Sequence, residues 1–143
     1  MQIIEQSIGI KSPIGKVWSI LIDWESRTKW APRVEKAKIV GKGTLRKGTR
    51  IKMQVDGRKF TPKVTVFEPQ ELLTVKVGGY AVNVKHSYRL MSDNEDTILT
   101  ISIQYGGIFG SIVGSKSLTS SNLELDDELS DLKKTIEDSN LYV

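Results

Sequence analysis

Two residues of this chain are placed to do chemistry together: the only histidine, His86, and Tyr88, two positions further on. Ala81 to Leu90 reads as a strand. Alternation then puts Val82, Val84, His86, Tyr88 and Leu90 on one side and Asn83, Lys85, Ser87 and Arg89 on the other. The apolar companions of His86 and Tyr88 mark their side as the inner one. An imidazole beside a tyrosine, with Tyr105 within reach on a neighbouring segment, can form a polar floor in an apolar cavity or an acid/base pair for enolisation. A core histidine hydrogen-bonded to a tyrosine or a backbone group uses the same residues without a ligand. No acid reads as belonging to that inner face, so no Ser/His/Asp-type arrangement is visible. The core role is the expected one, and if the pocket is catalytic, His86 or a pocket tyrosine is the candidate for proton transfer.

Other reactive groups are excluded by type or spacing. The chain has no cysteine, which removes disulfides, thiolate nucleophiles and sulfur ligands together. One histidine cannot supply the histidine pair of a non-haem iron site, so neither metal nor cofactor is expected. Gly110 to Ser117 follows a strand and opens a helix, as a phosphate-binding loop does. Only three residues separate Gly110 from Gly114, however, and Ser115 stands before Lys116. Gly41-Lys-Gly43 lies between extended segments and reads as a hairpin.

The elements that must position His86 and Tyr88 follow from periodicity. Gln2 to Ile10 alternates as a strand. Ser12-Pro13 then starts a helix, with Ser12 as cap, whose inner stripe is Ile14, Val17, Trp18 and Leu21. Asp23 opens a second short turn carrying Trp24, which ends where Ala31-Pro32 forces extended backbone. Strand signals follow at Val34 to Val40, Arg50 to Val55, Phe60 to Phe67, Leu72 to Val77, Ala81 to Leu90 and Thr97 to Tyr105, with loops short enough for an antiparallel meander. After Gly106-Gly107 the period changes: Leu118, Leu125, Leu129, Leu132 and Ile136 form the stripe of a long helix. Five Ser or Thr among residues 115–122 predict a bend or break near Ser120. One helix over a long curved sheet leaves unfilled space between them.

That space expects a lining of Met53, Val84, His86, Tyr88, Ile103 and Tyr105, with parts of Leu118 and Leu125. Trp24 and Trp30, just past a helix end, are either rigid aromatics at its mouth or plugs between helices and sheet. Trp18, on the inner stripe, reads as a plug. Phe109 and Tyr80, in glycine-flanked turns, are further mouth candidates.

Composition sets the outer bounds. At 143 residues, 38% hydrophobic and 27% charged, the chain is long enough for one domain with a full core. No apolar run approaches the roughly 20 residues of a spanning helix, and no signal-peptide pattern opens the chain, so a cytoplasmic location is expected. The net charge of +4 hides an asymmetry. Arg27 to Lys63 holds 13 Lys or Arg against Glu35 and Asp56, while Glu124 to Asp138 holds seven acids against Lys133 and Lys134. An acidic protein or an anionic surface would meet the basic strands. Without a recognition helix or stacking aromatics, nucleic acid is not the expected partner.

The order strand, two short helices, six strands and long helix carries Pro13-Ile14-Gly-Lys-Val-Trp18, Asp23-Trp24 to Trp30-Ala-Pro32, Gly48, His86-Ser-Tyr88-Arg-Leu90 and Leu129 to Glu137. From Gln2 to Ser139 it resembles the START-like helix-grip superfamily, also called SRPBCC, and most of all its polyketide cyclase/dehydrase and lipid-transport branch. The resemblance implies an α+β fold in a single domain, residues 1–143. A seven-stranded curved antiparallel sheet would wrap around a long C-terminal helix, with two short helices after the first strand and a cavity mouth near them. Members include lipid carriers, hormone receptors, aromatase/cyclases, ring-hydroxylating oxygenase subunits and a co-chaperone domain, which share no catalytic signature to transfer. The expected function is binding, and carriage, of a small hydrophobic or amphipathic ligand, lipid-like or polyketide-like. The alternatives are a cyclase or dehydratase using His86 or a pocket tyrosine, and a protein-interaction module using the basic strands.

Overall fold

The structure, a computed structural model, describes residues 2–139. Its first strand, β1 (Gln2–Ile10), is followed by α1 (Ile14–Ile22), a single 3-10 turn (Trp24–Ser26) and α2 (Arg27–Trp30). Seven further strands come next: β2 (Val34–Ile39), β3 (Ile51–Val55), β4 (Arg58–Phe60), β5 (Lys63–Glu68), β6 (Leu72–Gly78), β7 (Asn83–Asp93) and β8 (Asp96–Gly106). Two helices, α3 (Gly110–Lys116) and α4 (Leu118–Ser139), close the described chain.

The strands form two antiparallel sheets rather than one of seven strands. Five pair in the order β1-β8-β7-β6-β5 and three in the order β2-β3-β4. Phe60 to Phe67, expected as one strand, is two, because Pro62 has no N–H for the ladder and the chain turns there. The sheets stay joined at that corner: Arg50 bridges Lys63, Ile51 N–H donates to the Pro62 carbonyl at 3.0 Å and Val64 N–H to Thr49 at 2.8 Å. The extra strand, β4, is set by Asp56-Gly57, both at positive φ (50° and 79°), a two-residue hairpin that folds β4 back on β3.

The helices differ in detail from expectation. Ser12 does not cap α1; Pro13, at ψ 153°, occupies the cap position, and the buried Ser12 hydroxyl has no partner. The break in the C-terminal helix falls at Ser117 rather than Ser120. Ser117 N–H is shared there between the Val113 and Gly114 carbonyls. Beyond it the stripe holds: Leu125, Leu129, Leu132 and Ile136 are buried in one core with Ile4, Ile10, Leu99 and Ile101. Leu118 is 39% exposed and lies outside that stripe. The result is a curved antiparallel wall gripping a long C-terminal helix. Among the described residues no helix is long and apolar enough to cross a membrane.

Candidate functional site

Between α4, the inner faces of both sheets and the segment after α2 lies a cavity of about 510 Å³. Alternation aims Met53 and Val55 from β3, Val75 and Val77 from β6, and Val84, His86 and Tyr88 from β7 into it. Phe60 and Pro62 close the corner between the sheets. The exposed Arg33, Asp56, Glu124 and Asp127 mark its opening. Arg33 reaches across that opening to α4, 3.8 Å from Glu124 and 3.3 Å from Asp127. Partial burial, then the neighbouring Asp127, raise the Asp131 carboxyl above its ordinary value beside them.

The polar end of the cavity is a four-residue network centred on Glu128. One carboxylate oxygen, Oε2, accepts from Arg27 Nη1 at 2.8 Å and from the Tyr88 hydroxyl at 2.6 Å. The other, Oε1, lies 3.0 Å from His86 Nε2. An ionised carboxylate only accepts, so that imidazole nitrogen carries the proton. Burial by itself would raise the Glu128 carboxyl. The His86, Arg27 and Tyr88 contacts outweigh it and hold the group well below the carboxylate range. Burial, reinforced by Glu128 against the opposing Arg27 charge, drives the Tyr88 phenol well above its ordinary value, so it stays a donor. Burial likewise works against the Arg27 charge, but Tyr88 and Glu128 raise its pKa. Stacking adds to the order: the His86 and Tyr88 rings lie 5.3 Å apart at 14°.

Arg27 is the least expected member. Its side chain is 4% exposed and its guanidinium sits 3.6 Å from the centre of the Trp24 ring and 5.2 Å from those of Trp30 and Tyr88. Its Nε and Nη2 have no hydrogen-bond partner. The two tryptophans therefore hold a buried cation rather than stand at a rim. Trp24, 3% exposed, donates its indole N–H to Met53 Sδ at 3.2 Å and meets Tyr88 edge-on.

Of the residues singled out in the sequence, Trp24, Met53, Val84, His86 and Tyr88 come together around this cavity. Trp30 is half-buried behind Arg27 and outside the lining. Ile103 and Leu125 are in the solid core between β8 and α4, and Tyr105 turns away to share a 2.6 Å hydrogen bond with the buried Ser121. Leu118 and Phe109 face outward, because the chain turns at Gly107 and breaks at Ser117 before α4 settles on the sheet. Sequence reasoning missed Glu128 and Arg27. Glu128 had left a signal: it stands three residues after Leu125 and four before Leu132, a position where the inner stripe calls for an apolar residue.

The family described as polyketide cyclase / dehydrase and lipid transport matches residues 1–137. No curated protein matches the sequence. Among solved structures, the chain is similar to a START superfamily protein from Mycobacterium smegmatis, at 12% identity and a TM-score of 0.74 over 95% of this chain and 97% of that one. It is similar to the Zhui aromatase/cyclase from a Streptomyces species, at 16% identity and a TM-score of 0.73 over 95% and 93%. It also resembles norcoclaurine synthase from Thalictrum flavum, solved with dopamine and hydroxybenzaldehyde, at 15% identity and a TM-score of 0.73 over 96% and 87%. Identities this low establish the shared fold. With the family match spanning nearly the whole sequence and the sheet gripping α4 around a cavity, the chain belongs to the polyketide cyclase/dehydrase and lipid-transport family of START-like, helix-grip proteins.

Proposed function

We propose that this protein binds a small hydrophobic or amphipathic molecule, lipid-like or polyketide-like, in the cavity beneath α4. The observation that carries the reading is a space of about 510 Å³ with apolar walls from four strands and a hydrogen-bonding network at one end. That volume and that mixture are typical of small-molecule sites. Met53, Val75, Val77 and Val84 would desolvate the apolar body of the ligand, and His86 would satisfy one polar group on it. A module acting only through its surface has no use for such a space. Native mass spectrometry of the freshly purified protein, followed by organic extraction, tests the reading. A co-purifying small apolar compound, displaced in a Val84→Trp variant that still folds, is the expected result. A protein that binds no apolar probe, with or without the substitution, overturns it.

The network also favours a second reading, proton transfer in a cyclase or dehydratase reaction. Glu128 fixes the imidazole with its Nε2 proton bound, and Nδ1 has no partner among the described residues, so a neutral ring offers that nitrogen as a base. Norcoclaurine synthase and an aromatase/cyclase share the fold, which adds to the support. On this reading His86→Ala abolishes turnover of a poly-β-ketone while a product analogue still binds. Unchanged turnover would leave binding alone.

A further inference from the structure

Four large apolar side chains are left in solvent at one end of the larger sheet. Tyr80 is 87% exposed on the β6–β7 hairpin, and Ile108, Phe109 and Ile112, each more than half exposed, follow β8. They form one knob because the two loops are tied together: Ile108 N–H donates to the Tyr80 carbonyl at 3.3 Å and Phe109 N–H to Ala81 at 2.9 Å. Gly107 makes the approach possible. It lies at φ +88°, and a Cβ there would stand 2.7 Å from the Ala81 carbonyl oxygen. The knob is therefore built into the backbone. The core does not use it.

Beside the knob the sheet register assembles a row of cations. Arg50 pairs with Lys63, Lys63 with Lys76 and Lys76 with Lys85, four basic residues directly opposite one another across β5, β6, β7 and the bridge residue just before β3. Their neighbours Val64, Val75 and Val84 point inward, so the row lies on the outer face. At the spacing of neighbouring strands it spans about 15 Å. None of the four has an ion-pair partner among the described residues. Like charges placed opposite one another destabilise a sheet. Lys76 and Lys85 are two ladder positions, about 7 Å, from the Gly78–Asn83 pair that closes the Tyr80 hairpin.

We propose that this end of the sheet docks on a bilayer containing anionic phospholipid. Tyr80, Ile108, Phe109 and Ile112 enter the boundary between headgroups and acyl chains, and the Arg50-Lys63-Lys76-Lys85 row lies against the headgroups. A polyanion such as RNA would account for the cations but not for four exposed apolar side chains. A second copy of this chain would bring a second row of the same sign. Val77 and Val84 line the cavity one ladder position inside the hairpin, so the docked face adjoins the cavity. The inference stands on the surface alone and goes beyond the ligand reading.

Co-sedimentation of the full chain with phosphatidylcholine vesicles, with and without phosphatidylglycerol, tests it. Binding only to the phosphatidylglycerol vesicles, weakened by salt, is expected. Each lysine at such a surface is worth about fivefold in partitioning, so losing three lowers it roughly a hundredfold, and the charge reversal in Lys63→Glu/Lys76→Glu/Lys85→Glu should lower it by at least about that factor. Ile108→Ser/Phe109→Ser should also release the protein. Lys63, Ile108 and Phe109 are exposed and Lys76 and Lys85 half-buried on the outer face, outside the core, so the thermal midpoint should change little and a folding defect would be visible as such. Three outcomes overturn the proposal: no binding to phosphatidylglycerol vesicles, binding to RNA with vesicle binding indifferent to Ile108→Ser/Phe109→Ser, or a dimer that Phe109→Ser dissolves. Ligand occupancy of the same variants by native mass spectrometry reads the cavity separately.

Discussion

Glu128 is the residue on which the site turns, because it satisfies Arg27, Tyr88 and His86 at once, and Arg27 and Tyr88 are buried where water cannot replace it. Removing one partner of a buried ion pair leaves the other uncompensated, so Glu128→Gln should destabilise the protein by about 3 kcal/mol in urea unfolding. Adding Arg27→Met should restore a large part of that loss; no recovery would mean the pair is not coupled. The same carboxylate sets an acid limit. Its pKa is lower folded than the ordinary 4.5, so its stabilisation is complete above that value and is lost as pH falls below it. Thermal midpoints followed from roughly pH 5 to pH 3 should therefore fall more steeply for the native protein than for Glu128→Gln. Parallel curves would sink the assignment. Half of this network was legible in the sequence. Alternation alone puts His86 and Tyr88 on the inner face, and the acid in the leucine stripe was there to be noticed. Arg27 was not legible: it sits in a four-residue helix with no stripe, and it meets Glu128 across 101 residues of chain.

At the scale of elements, α4 decides how much of the molecule is solid and how much is cavity. Its first turns pass the opening with Glu124, Asp127 and Glu128, and its buried stripe starts at Leu125. Leu125→Ala should cost about 3 kcal/mol, as burial of a fully enclosed leucine requires, whereas Leu118→Ala should stay within about 0.5 kcal/mol. Denaturant midpoints of the two variants decide it; equal losses would place Leu118 in the core after all. Periodicity fixed the strands and the stripe well, since both depend on residues two to four apart. It could not see that Pro62 splits one strand into two and the sheet into five and three, because a single missing ladder hydrogen bond changes no local hydrophobic pattern. Nor did it place the helix break: a serine-rich run permits a break at several positions, and the shared Ser117 N–H selects one.

For the whole molecule, a cavity of this size is stability left unclaimed. Apolar walls that face no atoms lose their dispersion contacts, and a chain selected only for stability would fill the space. A ligand that does so stabilises the folded state alone, by about 2.7 kcal/mol at a hundred times its Kd. Protein and ligand therefore compete for the same volume. Val84 is the place to make them do so, since it lines the cavity, is half-buried and makes none of the Glu128 hydrogen bonds. Val84→Phe should raise the unliganded stability by about 1 kcal/mol while weakening capture of the co-purified compound at least about tenfold. Thermal unfolding with and without that compound gives both numbers. A function in ligand binding requires the two effects to move in opposite directions. A variant that gains stability and still responds fully to the compound would show that the ligand sits elsewhere, and one that loses stability would show the walls already closed around occupied space.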